Sequence, residues 1–200
     1  MTHVVLLAGR SGGGKTYCAN ASGLPVLHLD SFFRPRNDGL PSWLGDINWE
    51  SMESYDVAAA CGAIELALSK DYIAHPVYDL STDTITGFAE VDLNGSSTFI
   101  AEGVFAGVVF DALRSTGHAP SLLYLVHGRV SCAVARIGRD RREQRLPIIR
   151  SIAVALRLTL HQPAPQRPRP EAVRTTRRRF GEDLASLLAA RAASGCSDAE

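Results

Sequence analysis

Apolar and polar positions divide this chain into short buried runs separated by helical stretches. His3 to Ala8 is a continuous apolar run of the kind shown by a strand buried on both faces, and PVLHLDSF (25–32) reads as a second such strand ending in an acid. Residues 34–49, RPRNDGLPSWLGDINW, are rich in Pro, Gly and Asn and predict a loop. MESYDVAAACGAIELALSK (52–70) carries apolar residues at helical spacing. YIAHPVYD and DTITGFAEVDL alternate as strands do, and Asn94-Gly95 marks a tight turn before a further strand, STFIAEG (97–103). SLLYLVHG (121–128) predicts one more apolar strand. Residues 129–159 predict helix with arginines on one side, interrupted near Pro147. HQPAPQRPRP (161–170) predicts a linker, and EAVRTTRRRFGEDLASLLAARAA (171–193) a terminal helix.

Strands alternating with helices imply an α/β fold, a parallel sheet wrapped by helices, and 200 residues suit one domain. Ligands of such sheets bind beyond the carboxyl ends of the strands. The first strand ends there in GRSGGGKT: Gly9, Arg10, Ser11, Gly12, Gly13, Gly14, Lys15 and Thr16. This is the G-x-x-x-x-G-K-[ST] phosphate loop in its strand–loop–helix setting, with Tyr17 opening the helix. Glycines let successive backbone N–H groups turn around phosphate oxygens. Lys15 would reach the β- and γ-phosphates of a nucleotide, and the Thr16 hydroxyl would ligate Mg²⁺. Lysine is otherwise almost absent: Lys15 and Lys70 are the only two among 21 basic residues. Two acids at predicted strand ends converge on the same crevice. Asp30 is placed to take the proton of an acceptor hydroxyl beside the Mg²⁺, and Glu102 to hold the metal.

Composition narrows the class. At 46% hydrophobic and 21% charged the chain is an ordinary globular protein, with no apolar run of membrane-spanning length and no secretory leader pattern. Cys18, Cys61, Cys132 and Cys196 are widely spaced, as free thiols of a reducing cytoplasm would be. Net charge is zero but unevenly placed: residues 1–102 hold 13 acids and 5 bases, residues 103–200 hold 8 acids and 16 bases. The basic half offers cations to a polyphosphate. RTTRRRF (174–180) reads as the solvated face of the terminal helix, with nucleic acid as the disfavoured rival.

GRSGGGKT, LDSFF, INWESMESYD, HPVYD, AEGVF and ARIGRD, in that order over roughly residues 3–146, resemble the uridine kinase family of P-loop kinases. The resemblance implies a P-loop NTPase fold with a β-hairpin insertion (72–100) over the acceptor site and an Arg-rich helical lid (129–146). It implies transfer from ATP to a nucleoside 5′-hydroxyl, with Asp30 as base and with Thr16 and Glu102 on Mg²⁺. Trp49 and Glu50 match an aromatic followed by an acid that grips ribose hydroxyls, and Tyr78 matches the tyrosine of the hairpin's P-x-Y-D. Arg136 and Arg139 match the lid's R-x-x-R-D, three apart on one helix face, where planar forks can hold phosphate oxygens. Arg142 and Arg145 could join them.

Three departures bear on the acceptor. Phe33 stands where the family usually has tyrosine, Asp83 where it usually has a base-contacting histidine, and the region after Pro147 does not match the usual last strand and adenine pocket. The acceptor therefore stays open between a nucleoside and another hydroxyl compound such as a sugar, pantothenate or a phosphosugar. A nucleotide-binding regulator or nucleic-acid-linked ATPase is the reading from a different class. A homo-oligomer is left open.

Overall fold

The computed structural model describes residues 2–37, 39–43, 45–79, 82–142 and 147–195. Its centre is a five-stranded sheet, every pair parallel: β1 (His3–Gly9), β2 (Val26–His28), β7 (Thr98–Glu102), β8 (Ser121–Leu125) and β9 (Val173–Thr175), in the order β2-β7-β1-β8-β9. All seven residues of β1 are buried, because it pairs on both edges and is covered on both faces. Alternation along the strand then divides its side chains. Val4, Leu6 and Ala8 join one core with Phe99, Leu122 and the apolar sides of α2 (Val57–Ser69) and α3 (Ala106–Ser115). Val5 and Leu7 join a second with Cys18 of α1 (Lys15–Ala21) and Phe180 and Leu184 of α6 (Phe180–Gly195). Register brings the functional ends level: Leu7 lies opposite Glu102, His28 opposite Glu102, and Gly9 opposite Leu125.

Two antiparallel ribbons stand outside this sheet. β3 (Ser42–Trp43) and β4 (Asp46–Ile47) form a minimal one, and β5 (Tyr72–Asp79) and β6 (Thr84–Asp92) a long hairpin. The turn after β6 uses Asn94 and Gly95, both at positive φ, as its sequence requires. α4 (Arg129–Arg142) and α5 (Ile148–Leu160) pack together after β8, and Pro147 caps the second of them. Arg145 and Cys196 lie outside the described residues; Cys18, Cys61 and Cys132 are free thiols.

Several boundaries differ from the pattern of the sequence. The run 25–32 is strand only over Val26–His28, and Asp30 belongs to a 3₁₀ turn, Leu29–Phe32. Segment 52–70 begins with another such turn, and its helix starts at Val57 behind Asp56, whose carboxylate accepts from the Ala59 N–H at 3.0 Å. The predicted loop 34–49 contains the β3–β4 ribbon. α3 is an element not expected above, although its buried Ala106, Val109, Phe110 and Leu113 stand at helical spacing. The largest correction lies at 171–193: Val173–Thr175 is the sheet's edge strand, and helix begins only at Phe180. Val173 and Thr175 are β-branched and suit a strand, and pairing with β8, available only in three dimensions, selects it.

Candidate active site

The phosphate loop leaves β1 at Gly9 and turns with the Gly13 N–H donating to Arg10 O at 3.0 Å. Lys15 is buried and folds back over the loop, its Nζ 3.2 Å from both Gly9 O and Arg10 O. Thr16 Oγ1 donates to Glu102 Oε1 at 2.8 Å, so the β1–β7 register joins loop and strand end directly. His28, from the opposite edge of β7, lies with Nδ1 2.9 Å from the same Glu102 oxygen. Burial alone would raise the Glu102 carboxyl, but His28, Lys15 and Thr16 outweigh it and hold it below the usual value. The hydrogen bond to Glu102 raises His28 in return, against the effect of burial.

Asp30 projects from the 3₁₀ turn after β2. Tyr55 Oη donates to Leu29 O at 3.0 Å and fixes that turn from within the core. A Cβ on Gly103 would stand 2.8 Å from Leu29 Cβ and 3.4 Å from Asp30 Oδ1, so close passage of the chain after Glu102 requires a residue without one. Burial pushes the Asp30 carboxyl above the ordinary aspartate value; Glu102 adds to the push, Lys15 and Arg139 oppose it, and Glu50 adds again.

A cavity of about 220 Å³ opens beside Asp30. Ser11, Asp30, Phe33, Glu50, Arg136 and Arg139 line it, together with Trp49, Tyr78 and Asp83. The structure thus gathers on one cavity residues that the sequence scatters from Ser11 to Arg139. Phe33 is the hub of an aromatic wall, edge-on to Trp49 at 5.7 Å and to Phe105 at 5.8 Å, and tilted against Tyr78 at 6.2 Å. Tyr78 Oη donates to Arg34 O at 3.3 Å, which ties the β5–β6 hairpin to the loop after Asp30.

Most charged groups of the cavity are matched to a partner within the chain. Arg136 NH1 donates to Glu50 Oε1 at 2.8 Å, and Gln166 Nε2 donates to the other Glu50 oxygen. Asp140, buried, faces Arg136 at 3.8 Å and Arg139 at 3.4 Å and accepts from Ser151 Oγ at 2.9 Å, which joins α4 to α5. Asp83, at φ +53°, accepts two bonds from Arg36, and Arg36 also donates to Asp46. Asp83 therefore meets an arginine of its own chain.

Four participants escaped sequence reasoning. Arg36 stands in a loop without periodicity, His28 within an apolar strand, and Gln166 within the Pro-rich segment. Nothing in their local sequence distinguishes them. That segment is a strap as well as a linker: Arg10 donates to Leu158 O and to Gln162, and Gln162 donates to Tyr124 Oη. The fourth is Arg177. Its side chain lies against Gly14, 3.2 Å from where a Cβ would stand, and over the exposed Tyr17 ring at 4.4 Å. The basic cluster at 174–180 is thus a strand end and a loop beside the phosphate loop, in place of a helix face.

No family model and no curated protein sequence matches this chain. Solved structures do. A protein from Silicibacter sp. TM1040 assigned as a fructose transport system kinase matches with TM-score 0.56 at 20% identity, over 78% of this chain and 79% of its own. A gluconokinase from Sinorhizobium meliloti 1021 matches with TM-score 0.51 at 15% identity, over 99% and 98%. A protein from Bacillus stearothermophilus assigned as a uridine kinase matches with TM-score 0.48 at 19% identity, over 80% and 86%. The sheet order, the phosphate loop after the central strand and the first two of these likenesses define the fold as that of the P-loop kinases. No helix among the described residues is long and apolar enough to cross a membrane.

Proposed function

We propose that this protein is an ATP-dependent phosphotransferase acting on a hydroxyl of a small molecule, with a nucleoside 5′-hydroxyl as the preferred acceptor. One observation carries the reading: Asp30, its carboxyl pKa pushed up by burial, borders the same cavity as the phosphate-loop residue Ser11 and the arginines Arg136 and Arg139. A protein that only binds nucleotide has no use for such a base. The aromatic wall of Phe33, Trp49 and Tyr78 favours a nucleoside over a bare sugar, since it offers ring edges and faces to a flat base.

The loop amides and Lys15 hold the phosphates of ATP. Thr16 and Glu102 would hold Mg²⁺, with Asp30 as a third oxygen donor. The Thr16–Glu102 pair fits an ion that takes one or two carboxylates and otherwise phosphate oxygens and water. When bound, that ion neutralises phosphate charge. Asp30 takes the proton of the acceptor hydroxyl as its oxygen bonds to the γ-phosphorus and the bond to the ADP oxygen breaks. Arg136 and Arg139 act as lid residues and meet the charge that builds on the transferring group. For Arg136 that means leaving Glu50, which then becomes free to accept hydrogen bonds from vicinal ribose hydroxyls.

The test is ADP release from Mg-ATP against a panel of nucleosides, sugars and vitamins. Ribonucleosides should exceed their deoxy analogues by about tenfold or more, because a missing hydroxyl leaves the Glu50 acceptor unpaired. Asp30→Asn should bind ATP normally and lose transfer; wild-type turnover in that variant would refute the assignment.

A further inference from the structure

We infer that the acceptor is an uncharged or positively charged hydroxyl compound, and that the site selects against phosphorylated and carboxylated ones. The inference rests on the kinase reading and adds the charge class of its substrate. Five carboxylates line the cavity (Asp30, Asp46, Glu50, Asp83 and Asp140) against three arginines, Arg36, Arg136 and Arg139. Each arginine is engaged. Arg36 lies between Asp83 and Asp46 at 2.5 and 2.8 Å, Arg136 lies on Glu50, and Arg139 on Asp140.

An anionic acceptor would need one of these cations. Arg136 and Arg139 face the donor phosphate in the proposed reaction, which leaves Arg36. Taking Arg36 would strip that cation from Asp83, its side chain only 16% accessible, and leave Asp46 to Arg150, 3.3 Å away, so the incoming anion would meet a more acidic wall. The imbalance grows during the reaction. As Arg136 and Arg139 turn to the γ-phosphate, Glu50 and Asp140 lose their cations and the acceptor side becomes more acidic. A polyol meets that surface with hydroxyl donors, and a cationic group meets it with opposite charge.

Sets matched in shape and differing in charge provide the test: uridine with uridine 3′-phosphate, pantothenol with pantothenate, and glucose with glucosamine and gluconate. ADP release and calorimetric binding are measured for each. In at least one set the neutral or cationic member should bind and react, and its anionic counterpart should be at least tenfold weaker. Asp83→Asn should narrow that ratio by releasing part of Arg36; asparagine tolerates the positive φ at that position, so the turn survives. An anionic member that binds or reacts as well as its uncharged partner overturns the inference and leaves the kinase reading standing. Failure of every neutral and cationic member to bind also overturns it. Charge-selective binding without ADP release removes the kinase reading and keeps the selectivity.

Discussion

Gly12→Ala tests how the phosphate loop and α4 are joined, and its cost divides into two parts. Gly12 sits at φ +77°, where an L-residue loses about 1–2 kcal/mol. Its missing Cβ would also stand 2.4 Å from the Cys132 carbonyl oxygen and 3.2 Å from the Arg136 nitrogen, both α4 backbone atoms that cannot rotate away. Restoring ordinary contact at 3.4 Å moves α4 about 1 Å from the loop, an overpacking displacement of about 1–3 kcal/mol. The same movement carries Arg136 out of its 2.8 Å bond to Glu50. Gly23→Ala supplies the control, because Gly23 has nearly the same φ, +75°, and nothing within 4 Å of its added Cβ. The difference between the variants isolates the clash: about 1–3 kcal/mol, or roughly 2–12 °C in Tm for a chain of this size. Thermal unfolding by circular dichroism measures it, and calorimetric titration with Mg-ATP reports whether the loop still binds. If the two variants melt together, α4 does not rest on the loop as described, and the coupling of Arg136 to the phosphate site fails with it.

Three further expectations concern other parts of the molecule. His3 is buried with Nε2 2.9 Å from Ser121 Oγ, and burial, followed by Arg191, lowers its pKa from 6.5 to about 4. Its contribution is complete above pH 6.5 and falls away as pH drops toward 4, about 3 kcal/mol in all, so urea unfolding of His3→Gln should show a shallower loss of stability over that range; an identical slope would refute it. Asp140→Ala removes the buried acceptor shared by Arg136, Arg139 and Ser151 while Arg136 keeps Glu50, and should destabilise the protein by about 1–3 kcal/mol, seen as a lower urea midpoint, whereas a midpoint within error of wild type would deny that Asp140 joins α4 to α5. Arg136→Lys keeps the charge and loses the fork, so kcat should fall more than KM for ATP rises; a pure KM effect would make Arg136 a ground-state phosphate clamp.

Local features of this chain were legible because their physics is local. A strand buried on both faces must be apolar throughout, a loop that wraps phosphate must be rich in glycine, and Asn94-Gly95 can hold two positive φ values in succession. From β1 and GRSGGGKT the parallel sheet and its ligand end followed, and with the order of the later motifs so did the residues now found around one cavity. Tertiary structure decided what depends on partners distant in sequence. Strand β9 exists because β8 offers it a free edge; its β-branched Val173 and Thr175 suit a strand, but three residues are too short a run to announce one. Asp83 faces Arg36 across 47 positions, Glu50 meets Arg136 and Gln166 across 86 and 116, and Arg177 reaches Gly14 from the far end of the chain. Charge pairing of this kind leaves no periodic trace, because an ion pair depends on distance in space and is indifferent to the length of chain between its members. Residue types sufficed to propose phosphate transfer; the kind of acceptor is argued from which charges the fold had already matched.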